Sequence, residues 1–219
     1  MFILCAAIVV VPGAAMTAHA SPGGPGTAIT TLPLPSGLDA CLTNTLAAND
    51  DGSTAAVPLG FSLNFFGTQY TNVYVNNNGN ITFTGPLRTY TPFGIGSAHT
   101  KIIAPFFADV YTIGSTPLTY SSPGATYQGH AAFCVDWVNV GYYRASDKLN
   151  SFQAILVDRS DIGSGDFDII FNYNKVLWET GSASGGTGGL GGNPAHAGYS
   201  NGSNVSYEFP GSGTVGAFL

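Results

Sequence analysis

Val73-Tyr74-Val75-Asn76-Asn77-Asn78-Gly79-Asn80-Ile81-Thr82-Phe83 decides the fold class. Apolar residues stand at 73 and 75, then at 81 and 83, every second position on either side of a polar turn. That is the spacing of strands and not of helices. An Asn-Gly step tolerates positive φ and marks a hairpin. Upstream the same period runs through Val57, Leu59, Phe61, Leu63 and Phe65, and downstream through Phe133, Val135 and Trp137. Phe152 to Val157 and Phe167 to Tyr173 read as a second hairpin joined through Ser160-Asp161-Ile162-Gly163-Ser164-Gly165. Val205, Tyr207 and Phe209 read as a last strand. No stretch carries apolar residues at i, i+3, i+4 and i+7, and glutamate stands only at 179 and 208. The expectation is one all-β, sandwich-like domain with long Gly/Asn-rich loops and little helix.

Composition narrows the function classes. Of 219 residues only 8% are charged, and 6 Lys+Arg against 12 Asp+Glu give a net charge of −6. Clustered Lys and Arg for phosphate contacts are absent, which excludes nucleic acid as a partner. No apolar run reaches the length of a membrane-spanning helix. With 44% hydrophobic residues the chain has enough to bury a core.

Residues 1–20 read as a signal peptide. Phe2 to Val11 is a short apolar run, and Ala18-His19-Ala20 offers a small-residue cleavage site before Ser21, although Met1-Phe2-Ile3-Leu4 carries no basic residue. A buried N-terminal strand or helix is the competing reading. Residues 21–38, rich in Pro, Gly and Thr, read as a linker, and 39–219 as the β domain. Export makes the protein secreted and its cysteines oxidisable. Cys5 would leave with the leader, so Cys41 and Cys134 are expected to pair, with two buried free thiols as the alternative.

Few residues offer chemistry. Gly198-Tyr199-Ser200-Asn201-Gly202 has the form of a nucleophile elbow, but a polar, β-like segment follows it and no Asp or His follows Ser200 in the required order. Asp158, Asp161, Asp166 and Asp168 lack EF-hand spacing and read as a solvated face. Asp109, at the end of the apolar run Ile102 to Ala108, must be solvated, hydrogen-bonded to amides, or bound to a cation. Asp50, Asp51 and Asp109 are therefore candidate calcium ligands; no other cofactor is expected. Trp178 and Glu179, at the mouth of the glycine-rich stretch Gly181 to Pro194, are the candidate contact surface. That stretch reads as a mobile lid or a flexible excursion.

From Asn49 to about Ser212 the chain resembles the nidogen-like (NIDO) extracellular domain, in its secreted bacterial form. The resemblance rests on Asn49-Asp50-Asp51-Gly52-Ser53, Phe65-Phe66-Gly67 with Tyr70, Tyr74 to Phe83, and Tyr90-Thr91-Pro92. It continues through Ile103 to Val110, Trp137 to Tyr142, Asn150-Ser151-Phe152-Gln153, Phe171-Asn172-Tyr173, Trp178-Glu179-Thr180-Gly181 and Ala183-Ser184-Gly185-Gly186. It implies a non-catalytic extracellular module of proteins linked to cell–matrix adhesion, with a matrix, envelope or glycan component as partner. A carbohydrate-binding β-sandwich is the alternative, and a secreted hydrolase a more distant one. The family often continues past Asp109-Val110 with a further Asp and an Arg, where Tyr111-Thr112-Ile113 stand here.

Overall fold

The computed structural model describes residues 5–10, 17–19 and 43–219. Strands are numbered in chain order, and all pairing is antiparallel. One sheet runs β2 (Thr17–His19), β1 (Cys5–Val10), β13 (Phe167–Lys175), β12 (Ala145–Asp158), β11 (His130–Tyr142), β9 (Thr119–Tyr120) and β3 (Asn44–Thr45). Two short strands, β8 (Val110–Tyr111) and β10 (Thr126–Tyr127), also pair with β11. The other sheet runs β15 (Ser206–Glu208), β14 (His196–Ser200), β7 (Ile102–Phe107), β6 (Asn80–Thr82), β5 (Thr68–Asn76) and β4 (Val57–Phe65). The all-β sandwich expected from the period-two pattern is what forms. No helix among the described residues is long and apolar enough to cross a membrane.

The expected leader lies only partly within the described residues, and the expected linker, together with Cys41, lies outside them. Cys5–Val10, inside the apolar run Phe2 to Val11 of the expected leader, pairs with β13 from Cys5 opposite Asn172 to Val10 opposite Phe167.

Alternation places one set of side chains between the sheets. Leu63, Phe65, Val73, Val75 and Ile81 from one sheet meet Phe133, Val135, Trp137, Phe152, Leu156, Ile169 and Phe171 from the other. Aromatic pairs fill the centre. Phe65 stacks on Phe83 with centroids 4.5 Å apart, and Trp137 on Phe152 at 5.1 Å. Such pairs add to the burial of their large area.

The outer face of the first sheet is not uniformly wet. Ala132, Cys134, Ile155, Val157 and Ile170 form a second buried cluster there, and Cys134 is not a free thiol. The acidic hairpin β12–β13 is only partly solvated. Arg159 pairs with Asp161 at 3.0 Å and Asp168 at 2.9 Å, while Asp166 is 3% exposed. These carboxylates lie at a strand end where the chain folds back over them.

In the row next to the apolar cluster, Asp136, Gln153 and Asn172 stand directly opposite one another on β11, β12 and β13. Gln153 Nε2 donates to Asp136 Oδ1 at 2.6 Å, and Asn172 Nδ2 donates to Gln153 Oε1 at 2.8 Å. Asp136 Oδ2 is buried without a partner. Burial pushes the Asp136 carboxyl up to about 6, against the opposing pull of the Gln153 hydrogen bond. A carboxyl raised in the folded state binds its proton more tightly there than in the unfolded chain. Its contribution to stability is therefore fully present below about pH 4 and is lost as the pH rises through about 6. Asp136→Asn should flatten that slope and raise stability above pH 6 by roughly 1–2 kcal/mol. Denaturant unfolding across pH 4–8 checks this; an unchanged slope in the variant would disprove it.

Candidate functional site

The turn that announced the hairpin is interior, not surface. Asn76, Asn77 and Asn80 are 0% exposed and Asn78 is 1% exposed. A polar run so deep must have its hydrogen-bonding capacity met, and it is met by joining loops that lie far apart in sequence. Asn76 Oδ1 accepts from Ser53 Oγ at 2.7 Å and from Leu87 N at 2.9 Å, while its Nδ2 donates to Asn80 Oδ1 and Thr82 Oγ1. Asn77 Nδ2 donates to the carbonyls of Asp50 and Val110. Its own carbonyl receives Trp137 Nε1 at 3.0 Å. Asn78 Oδ1 accepts from Val110 N at 3.0 Å, and its Nδ2 donates to Asp51 Oδ1 at 2.8 Å and to Thr89 O at 3.2 Å.

These bonds hold three segments together: the loop Asn49 to Ser53, the chain from Asp109 to Thr112, and Leu87 to Thr91. Within the first, Asn49 Oδ1 accepts from Gly52 N at 2.6 Å, a side-chain bond that closes the loop around Asp50 and Asp51. Thr112 clamps the loop's start, donating through N and Oγ1 to Asn49 O and accepting from Asn49 N at 2.8 Å. Asp50 and Asp51 thereby meet Asp109, one carboxylate oxygen from each lying within 4.8 Å of the others. The expectation that these three residues share a place rested only on their chemistry, and the asparagine scaffold supplies the means.

Asp109 is 1% exposed. Its carboxylate lies flat against Gly181, where an added Cβ would come within 2.2 Å of Oδ2. Burial first, then Asp50 and Asp51, push its carboxyl up to about 7, while the Ser184 hydrogen bond pulls it down. Burial and Asp51 also raise Asp50, and Arg144 opposes them.

The glycine-rich stretch after Trp178 closes one side of this cluster and is neither lid nor free excursion. Trp178 is 0% and Glu179 1% exposed, so neither can be the contact surface expected of them. Trp178 Nε1 donates to Val140 O at 3.0 Å, and its ring meets Phe106 edge-on at 5.5 Å. Glu179 is an internal clamp: Oε1 accepts from Gly191 N at 3.1 Å and Oε2 from Gly216 N at 2.8 Å. Ser184 is also buried, within reach of Thr91 Oγ1 at 3.1 Å and of Asp109 Oδ2 at 3.4 Å. The exposed large apolar side chains of these loops are instead Tyr90 and Leu190, at 42% and 40%. Tyr90 also lines a shallow hollow with Arg88, Thr89 and Thr91. Sequence reasoning missed both, since a single exposed apolar residue in a loop carries no pattern.

Ser200 is buried in β14, and β15 follows it where a nucleophile elbow needs a helix.

A family model described as NIDO related matches residues 34–214. Human alpha-tectorin is 37% identical over 191 residues, covering 75% of this chain and 9% of its own length. Mouse nidogen-2 is 32% identical over 146 residues, covering 53% of this chain and 10% of its own. Drosophila melanogaster nidogen is 27% identical over 137 residues, covering 51% and 10%. The chain thus spans about a tenth of the length of the curated relatives it matches. No solved structure matches it.

Proposed function

Because the chain belongs to the NIDO-related family, we propose that it is a secreted, non-catalytic interaction module that attaches to an extracellular matrix, envelope or glycan component. The observation that carries this reading is the family match over 34–214, with alpha-tectorin and nidogens among the relatives. The contact surface is the rim of Tyr90 and Leu190 over the tied-down loops, since rigid β scaffolds present function on loops. With few charges to steer encounter, single contacts are weak and attachment relies on many copies acting together. Residues 1–20 act as an export leader and Cys41 pairs with Cys134 in the mature protein, a pairing supported by Cys134 not being a free thiol. Assignment to the secreted bacterial form of the family rests on the low charge and the expected leader. Carbohydrate binding through Trp178 loses its footing, because that ring is buried.

The test is an array of glycans, matrix components and envelope components probed with the full chain displayed in many copies. Binding to a defined component should appear and should fall at least about tenfold when Tyr90→Ala and Leu190→Asp are combined, given how few residues dominate an interface. Equal binding by the double variant refutes the rim, and turnover of a glycoside or ester by the purified chain refutes the non-catalytic reading.

A further inference from the structure

Asp50, Asp51 and Asp109 bring three negative charges together, and two features beyond that charge point to a ligand. Asp109 is 1% exposed, yet its carboxylate receives a single hydrogen bond, the long one of 3.4 Å from Ser184 Oγ to Oδ2. Beside it, Asp50 Oδ1 is buried without a partner. Buried carboxylate oxygens left in this state are costly unless something compensates them.

The neighbouring side-chain amides are already committed. Asn77 Nδ2 serves the carbonyls of Asp50 and Val110, and Asn78 Nδ2 serves Asp51 Oδ1 and Thr89 O. Arg144 Nε donates to Tyr143 Oη, and its guanidinium lies over the Tyr143 ring. Of these amides only Asn78 Nδ2 reaches a carboxylate, at Asp51 Oδ1, and the orphan oxygen of Asp50 receives none. That holds the carboxylates in place without an ion pair among the described residues, Arg144 acting on Asp50 only through its charge.

We propose that Asp50, Asp51 and Asp109 bind a hard divalent cation, calcium, at the junction of the Asn49–Ser53 loop, the end of β7 and the Gly181–Ser184 turn. The donors are carboxylate oxygens alone, with no thiolate or imidazole among the three, which selects a hard ion over zinc or copper. They come from two separate loops, an irregular set that suits the flexible coordination of calcium better than the strict octahedron of magnesium. The choice of calcium over other hard ions rests on the extracellular reading. Bound there, the ion ties the acidic loop to the chain after β7, beneath Ser184, and so stiffens the base of the rim that carries Tyr90 and Leu190.

Calcium alone, titrated into the chelator-treated full chain at mildly alkaline pH, tests the site by calorimetry and by thermal unfolding. One equivalent should bind with a Kd on the order of 10⁻⁴–10⁻³ M, the range of extracellular modules, and should raise the unfolding midpoint. Asp51→Asn and Asp109→Asn should each weaken binding by at least about tenfold, as loss of a supporting group does at metal sites. Asp51 is the less buried of the two, so its variant keeps the test decisive if Asp109→Asn disturbs the interior. Absence of heat and of any midpoint shift at about 10 mM calcium, far above that Kd range, overturns the site. Undiminished binding in both variants overturns it as well, and magnesium binding as tightly as calcium overturns the choice of ion. A chain that takes up calcium but attaches to no array component would refute the interaction rim and leave the cation site standing.

Discussion

Gly79→Ala should be among the most destabilising single substitutions in the chain, costing on the order of 4–5 kcal/mol or more. Two penalties coincide at this residue. Its φ of +74° lies in the left-handed region, where a side chain costs roughly 1 kcal/mol or more. A Cβ would also stand 1.8 Å from the carbonyl oxygen of Phe106, a backbone atom that cannot swing aside. The turn and β7 would have to part. The contacts at risk include Phe106 N donating to Gly79 O and Ala108 N donating to Asn78 O, both at 3.3 Å. Separation would also pull the asparagines from the carbonyls they hold. Gly67→Ala is the matched control: its φ is +82°, but nothing lies within 4 Å of its Cβ, so it meets only the conformational penalty. Thermal unfolding should place the Gly79 variant about 10–20 °C below wild type and the Gly67 variant only a few degrees below. Similar midpoints for the two variants would show that the close approach to Phe106 does not matter.

Trp178→Ala should cost about 4–5 kcal/mol, at the upper end for a large aromatic removed from a core. The indole is fully buried between Phe106 and Tyr142, and its Nε1 is the donor to Val140 O. Truncation leaves a cavity and a buried carbonyl short of a partner. The effect should also spread along the chain. Glu179 and Thr180 hold the glycine-rich stretch through Gly189 and Gly191, and both follow directly on Trp178. Limited proteolysis should therefore open the variant between residues 182 and 193 before global unfolding, while the wild type resists there. Trp178→Phe should restore most of the packing but not the hydrogen bond, landing between the two. Urea unfolding that places Trp178→Ala within 1 kcal/mol of wild type would refute the anchoring role.

The sheets were legible in the sequence because alternation there has a simple physical cause: one face of each strand is buried. Phe133, Val135 and Trp137 point inward as their spacing requires, and the hairpin from Phe152 to Tyr173 pairs as read. Asn76 to Asn80 were not legible in the same way. A polar run between strands reads as a wet turn, since sequence alone does not disclose that distant carbonyls converge on it. Glu179 misled for a related reason. A carboxylate beside a glycine-rich stretch suggests a surface, whereas two backbone amides from residues 12 and 37 positions further on satisfy it inside. The grouping of Asp50 and Asp51 with Asp109 was accessible from chemistry, because a carboxylate closing an apolar run demands compensation. Their meeting place depends on the asparagine scaffold, which only the fold reveals.

The same scaffold governs how the chain ages. Asn78-Gly79 is the dipeptide most prone to deamidation, in which the following backbone nitrogen attacks the side-chain amide carbon and closes a succinimide ring. In the folded protein that nitrogen donates to Asn77 O at 2.8 Å. The amide it would attack is held by Val110 N, Asp51 and Thr89. Neither partner is free to reach the other, so the native state shields this Asn-Gly bond. Unfolding removes the shield, and an isoaspartate formed there would lengthen the backbone by one atom at the turn the two sheets close around. Time spent unfolded would then leave a permanent chemical mark, and a chain so marked could not return to this fold.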